Sequence, residues 1–197
     1  IITPRTPVLS GVDQEEARAV IADVAAERNA PLREIRDEVS WWVPHADLSG
    51  SVMDLETPLR AYDRLHVALP GPHQETNVAL AVRAAELVVP AVQTTAEPVY
   101  EGVRDLRALT GFRGRLEVLQ DQPLVVVDVA HNPPGIEAGL RTLDRILTRR
   151  GGTLYVAFTA VRGKQLDAVA RLLAEHDARV LPVPVDTPRA LPPDAIT

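Results

Sequence analysis

An α/β fold with helices packed on a mostly parallel sheet is predicted by three observations on this 197-residue sequence. Hydrophobic residues make up 46% of the chain but aromatics only 4%, so Ala, Val and Leu must fill the core, which suits helix-on-strand layers better than an aromatic-rich sandwich. From residue 116 onward, short apolar runs alternate with stretches of helical period, the pattern of a doubly wound sheet. The first 35 residues carry the same pattern once, as strand, helix, strand.

Val8 and Leu9 begin a short strand, and Asp13 stands where an N-cap would open a helix over 14–28 with Val20, Ile21 and Val24 on one face. Residues 31–35 read as the second strand. Residues 37–63 are mixed: Trp41, Trp42 and Val43 have strand propensity, and 49–55 alternates weakly. A strand at 65–69 runs into Pro70-Gly71-Pro72, a strong breaker. A helix over 73–88 follows, with Val78, Ala81, Val82, Ala85 and Leu87 on its apolar side, and another over 98–109 ends near Gly111. The glycine-rich stretch Gly111-Phe112-Arg113-Gly114 marks a domain boundary, giving 1–111 and 112–197. Beyond it, apolar runs at 116–119 and 124–127 flank an Asp121-Gln122-Pro123 turn, and the second run reads as a buried parallel strand. A helix over 134–149, a strand at 153–158, a helix over 165–175 and a strand at 179–183 complete the pattern.

A net charge of −6 speaks against general binding to a polyanion, so no nucleic-acid partner is expected. The basic residues are arginines except Lys164, and guanidinium groups suit two-point contacts to phosphate. The absence of cysteine removes disulfides and thiolate chemistry. No run approaches the ~18 apolar residues of a membrane span, and no leader opens the chain, so a soluble cytoplasmic protein is expected. Ile1 is not an initiator methionine and 191–197 is Pro-rich, so the chain reads as an excerpt of something longer.

Three segments carry chemistry. Asp128-Val129-Ala130-His131-Asn132-Pro133 lies where a strand ends and a helix begins, the place where open α/β sheets bind ligands. Its Asp can accept from ribose hydroxyls, and His131 and Asn132 can reach phosphate or a polar substrate; the plainer alternative is an Asp bracing the turn and a His bonded to backbone. Gly111-Phe112-Arg113-Gly114-Arg115 combines a tight backbone with two cations, and Arg115 can neutralise phosphate charge, unless the segment is simply a solvated linker. Gly71-Pro72-His73-Gln74-Glu75-Thr76-Asn77 opens a helix with polar side chains, among which Asn77 can pair with an adenine edge, unless these residues serve only as caps. His45, His66 and His176 lack metal-ligand spacing, so no metal site is assigned, and Gly163-Lys164 lacks the rest of a Walker loop.

Taken in order, Leu69-Pro70-Gly71-Pro72-His73-Gln74 with Asn77, then Gly114-Arg115-Leu116-Glu117, then Asp128-Val129-Ala130-His131-Asn132-Pro133 resemble the folylpolyglutamate synthase/dihydrofolate synthase family of the Mur ligase superfamily. Ile1-Ile2-Thr3-Pro4-Arg5-Thr6-Pro7-Val8 is similar to the stretch just after that family's central-domain lysine. The resemblance implies the second half of a Mur-ligase-type ATPase domain followed by a truncated Rossmann-like C-terminal domain, with the nucleotide between them. It implies an ADP-forming ligase, usually a monomer, that adds L-glutamate to dihydropteroate or folate through an acyl phosphate, using ATP and magnesium. By the same resemblance Asn77 contacts adenine, Arg115 the phosphates and Asp128 the ribose. His131 lies near the transferred phosphoryl group and incoming glutamate, and Asn132 shapes that turn.

The family's P-loop, its magnesium ligands and its modified lysine belong before Ile1, so this chain alone is expected to be inactive. Arg162-Gly163-Lys164-Gln165 departs from the family's Asp-Lys-Asp, which leaves no glutamate-binding role assigned there. A Mur ligase of peptidoglycan synthesis shares the Gly-Arg and Asp-x-Ala-His-Asn-Pro elements and is the alternative within the superfamily. A non-catalytic nucleotide-binding module descended from such a ligase is the alternative from another class.

Overall fold

The computed structural model describes residues 2–159, 166–184, 186–188 and 190–192, and the chain divides into two compact units, Ile1–Arg113 and Gly114–Thr197.

The first unit opens with β1 (Val8–Ser10) and β2 (Leu32–Glu34), which pair in parallel with Val8 opposite Leu32. Helix α1 (Glu15–Glu27) connects them, so the expected strand-helix-strand unit is present. Asp13 does not cap it: Gln14 occupies the N-cap in extended conformation without a side-chain hydrogen bond. Glu15 and Glu16 in the first turn instead face the positive end of the helix dipole.

After the single turn α2 (Ile35–Glu38), residues whose sequence is ambiguous form an antiparallel meander of β3 (Ser40–Asp47), β4 (Gly50–Glu56) and β5 (Ala61–Val67). Bulges blur the two-residue period, one between Trp42 and His45 and one between Met53 and Leu55. Trp42 also points outward at 68% exposure, so its apolar bulk gives no sign of the buried face. Met53, Leu55, Tyr62, Leu65 and Val67 form that face, packed with Val78, Ala79 and Val82 of α3 (Pro72–Val88). Gly71 precedes α3 with φ +104, a conformation that favours glycine, and Pro72 opens the helix, where a missing N–H costs nothing. Short helices α4 (Pro90–Thr94), α5 (Glu97–Arg104) and α6 (Leu106–Thr110) follow. The single helix expected over 98–109 is broken at Asp105, and the break leaves Val99, Val103 and Leu106 all packed on this core.

A buried polar chain runs through the same core. Arg83, on α3, donates from Nε to Glu38 (2.6 Å) and from Nη1 to Glu86 (3.1 Å). Oε1 of Glu86 accepts from the Thr57 hydroxyl at 2.7 Å and the Tyr62 hydroxyl at 2.9 Å. Burial first, and then the Glu86 carboxylate, push the Tyr62 phenol well above its ordinary range.

The second unit begins with a hairpin of β6 (Glu117–Gln120) and β7 (Val125–Val127). Here the structure corrects an expectation: β7 lies antiparallel to β6, and Val125 and Val127 are 40% and 39% exposed rather than buried. A turn as short as 121–124 can only return the chain antiparallel, because a parallel return needs a crossover. Then come α7 (Pro133–Arg150), β8 (Tyr155–Phe158), α8 (Leu166–Glu175) and β9 (Arg179–Pro182). Strands β8 and β9 pair in parallel across α8, with Tyr155 opposite Arg179. Leu140 of α7 and Val169 and Leu173 of α8 make this unit's core with Ile136, Val156, Phe158 and Val180. Among the described residues no helix is long and apolar enough to cross a membrane.

Candidate functional site

The 128–132 segment links β7 to α7, and its last residue starts the helix. Asn132 is extended (φ −132°, ψ 155°), and its Oδ1 accepts from the Gly135 amide at 3.0 Å. Pro133 and Pro134 fill the first helical positions, where no intrahelical donor is required. Gly135 is demanded by closeness: a Cβ there would lie 2.8 Å from Asn132 Oδ1. Asn132 is therefore a cap, and replacing it with alanine should cost the second unit about 1 kcal/mol. Thermal or urea unfolding of Asn132→Ala measures this; an unchanged midpoint contradicts the capping role.

Asp128 is the centre of the segment's hydrogen bonding. Its Oδ1 accepts from the Ala130 amide at 2.6 Å, which closes the turn, and its Oδ2 accepts from the Leu116 amide at 2.8 Å, which reaches the other motif. The Gly114 carbonyl accepts from the Val129 amide at 2.9 Å, a second tie between the same two segments. Gly114-Arg115-Leu116 is thus docked on Asp128-Val129-Ala130. The docking requires positive φ at Gly114 (+70°) and at Leu116 (+44°). Leu116 is 1% exposed, so burial of its side chain offsets a conformation that leucine disfavours. A Cβ on Gly114 would lie 2.7 Å from Val129 Cγ1, so a larger residue there would have to push the Val129 side chain aside as well as adopt positive φ.

Glu117, to which sequence reasoning assigns no role, belongs to this arrangement. It is buried, and its Oε2 accepts from the Gly114 amide at 2.9 Å. The signal that could have found it is the Gly-x-x-Glu spacing, which lets a carboxylate return to the amide three residues earlier. Arg115 itself is half-buried and stands between two residues whose amides are both held by carboxylates. His131 is exposed, with Nδ1 3.3 Å from the Val129 carbonyl oxygen. Carboxylate, imidazole and guanidinium therefore stem from one docked pair of loops beside the start of α7. Pro133 and Pro134 carry no N–H and the Gly135 amide is held by Asn132, so a guanidinium and the helix dipole, rather than free helix amides, are what favour negative charge there.

Asn77 belongs to the first unit. It is exposed on α3, and its Nδ2 donates to Oε1 of the buried Gln74 at 3.0 Å. The Gln74 amide nitrogen lies 2.8 Å from His73 Nε2, so the three polar side chains form one chain on the first turns of α3. No side chain caps this helix, because Gly71 takes the cap position. Among the described residues no three His, Cys, Asp or Glu side chains converge as metal ligands. Residues 162–165 lie outside the described residues.

Residues 114–197 match the family described as Mur ligase, glutamate ligase domain. A dihydrofolate synthase/folylpolyglutamate synthase of Bacillus subtilis is 28% identical over 190 residues, covering 96% of this chain and 43% of that protein. A UDP-N-acetylmuramoyl-L-alanyl-D-glutamate–2,6-diaminopimelate ligase of Ralstonia nicotianae is 35% identical over 107 residues, covering 50% of this chain and 20% of that protein. A solved FPGS–AMPPCP–folate complex is 28% identical with a TM-score of 0.76, over 93% of this chain and 44% of that one. The chain spans less than half the length of these relatives.

Proposed function

We propose that this chain, which belongs to the Mur ligase superfamily and within it to the folylpolyglutamate synthase group, is part of an ADP-forming ligase joining L-glutamate to dihydropteroate or folate. The observation that carries the reading is the docking of Gly114-Arg115-Leu116 onto the Asp128 turn, which roots Arg115 and His131 on one pair of loops joined to the start of α7. The folate substrate is favoured over a peptidoglycan precursor because likeness to two folate enzymes runs along 96% and 98% of the chain, against 50% and 77% for two diaminopimelate ligases.

In this reading ATP transfers its terminal phosphoryl group to the substrate carboxylate, and the glutamate amine displaces phosphate from the acyl phosphate. Arg115 meets the phosphate charge with a forked guanidinium. Asp128 accepts from the ribose with lone pairs left over from its two backbone amides, since each carboxylate oxygen carries two. His131 faces the transferred group and the incoming amine, Asn132 holds the turn, and Asn77 pairs with the adenine edge. Magnesium, when bound, would neutralise charge on the phosphates, and the described residues include no cluster of carboxylates or imidazoles to hold it. Its ligands are assigned to the part of the protein that the longer relatives have and this chain does not span. The protein is assigned to the cytoplasm as a monomer acting on small molecules, without nucleic acid or membrane partners; the net charge of −6 speaks against a polyanionic partner.

The test is turnover by the full-length protein with ATP, L-glutamate and, in turn, dihydropteroate, folates and UDP-muramoyl peptides. Glutamate-extended pteroate or folate is the expected product, and turnover of the muramoyl peptides alone would refute the folate assignment. Asp128→Ala is expected to raise the KM for ATP about tenfold while the KM for glutamate stays within about twofold, as loss of a charged hydrogen bond to one substrate predicts, and to lower kcat as well, because the Leu116 amide loses its acceptor. An effect confined to glutamate would contradict the ribose role.

A further inference from the structure

We infer that Glu117 is a positioning residue that acts on phosphate through Arg115. The inference rests on the proposed phosphate role of Arg115 and adds a residue to it. Glu117 holds the amide before Arg115, through Gly114 N at 2.9 Å, and Asp128 holds the amide after it, through Leu116 N at 2.8 Å. The backbone on both sides is in the left-handed region, at +70° at Gly114, where glycine adopts it freely, and at +44° at Leu116, where surrounding contacts must hold a leucine. Gly114, Leu116 and Glu117 are all buried, while Arg115 between them is half-buried. The two carboxylates therefore fix in advance the backbone from which one guanidinium extends, so that less remains to be ordered when charge develops on phosphate. Glu117 is buried at 8% exposure and is bonded to the backbone at Gly114, so its effect on the reaction passes through the loop rather than by contact with substrate.

The experiment is a double-mutant cycle in the full-length protein, with amide exchange as an independent readout. Glu117→Leu, which keeps most of the buried volume, and Glu117→Ala, which leaves a small void, are both made so that one folded variant suffices. Either should lower kcat about tenfold or more with the KM values for ATP and glutamate within about twofold, while Glu117→Gln, which keeps an acceptor oxygen, restores most of the rate. In an Arg115→Ala background the same Glu117 change should alter kcat less than about twofold, because the group it positions is gone. Exchange of the Gly114 amide should accelerate about tenfold or more in the folded variant. Full additivity in the cycle, or an unchanged Gly114 exchange rate, overturns the positioning role. If Arg115→Ala alone leaves kcat intact, it is the phosphate reading that fails, and the Gly114 exchange rate still decides whether Glu117 restrains the loop.

Discussion

Arg115→Ala in the full-length protein should reduce kcat by about 10²–10³-fold, the cost of removing one preorganised donor from a developing charge. Arg115 lies on a loop whose anchoring is done by its neighbours: the Gly114 and Leu116 amides on the two carboxylates, the Gly114 carbonyl on Val129, and the Leu116 side chain in the interior. Truncating the guanidinium leaves those four ties in place. Arg115→Lys should recover only part of the rate, since an ammonium supplies a point charge without the planar fork. Wild-type turnover by Arg115→Ala would remove the phosphate role from this residue.

The largest expected effect on stability lies in the first unit. Arg83→Met should cost about 3–5 kcal/mol, because it leaves the carboxylate of Glu86, whose side chain is 0% exposed, buried without a cation. The remaining donors to Glu86, Thr57 and Tyr62, are neutral hydroxyls. Urea unfolding measures the loss, and the double variant Arg83→Met/Glu86→Gln should recover much of it, since the amide oxygen still accepts from those hydroxyls. A pH dependence accompanies the pair. Burial works to raise the Glu38 carboxyl, but its contacts with Arg83 and Arg33 outweigh that and hold it below its ordinary value of 4.5. A carboxyl lowered in the folded state contributes stability above its unfolded value, and that contribution fades as pH falls through the folded value. The wild-type protein should therefore lose stability below about pH 4.5, and Arg83→Met should show a shallower acid limb. Equal acid limbs in the two proteins would contradict the coupling.

Helix α7 was legible because its signals are local. Asn132-Pro133-Pro134 opens it, Gly151 follows its end, and one face is apolar between them. The β8–α8–β9 unit shows in the same way, through alternating periods that need no distant partner. The meander β3–β4–β5 did not show, because two bulges, an exposed Trp42 and a proline within β3 disturb the period on which strand recognition depends. The antiparallel pairing of β7 followed from turn length rather than from its apolar run, which reads equally well as a buried strand.

At the candidate site, sequence spacing singled out Asp128, His131, Asn132 and Arg115 as residue types able to meet a nucleotide. It did not show that Asp128 reaches back twelve positions to the Leu116 amide, nor that Leu116 is twisted to φ +44° to allow it. Such a tie joins two motifs through backbone groups, and backbone amides leave no trace in residue identity. Glu117 went without a role for the same reason, since its partner is the amide of a glycine.

The central claim is that the docked segments 114–116 and 128–135 grip ATP. Amide exchange on the full-length protein, with and without a non-hydrolysable ATP analogue, tests it most directly. Binding of the analogue should slow exchange at the amides of Arg115, Leu116, Ala130, His131, Asn132 and Gly135. Saturating analogue that slows exchange elsewhere and leaves these amides unchanged would contradict it.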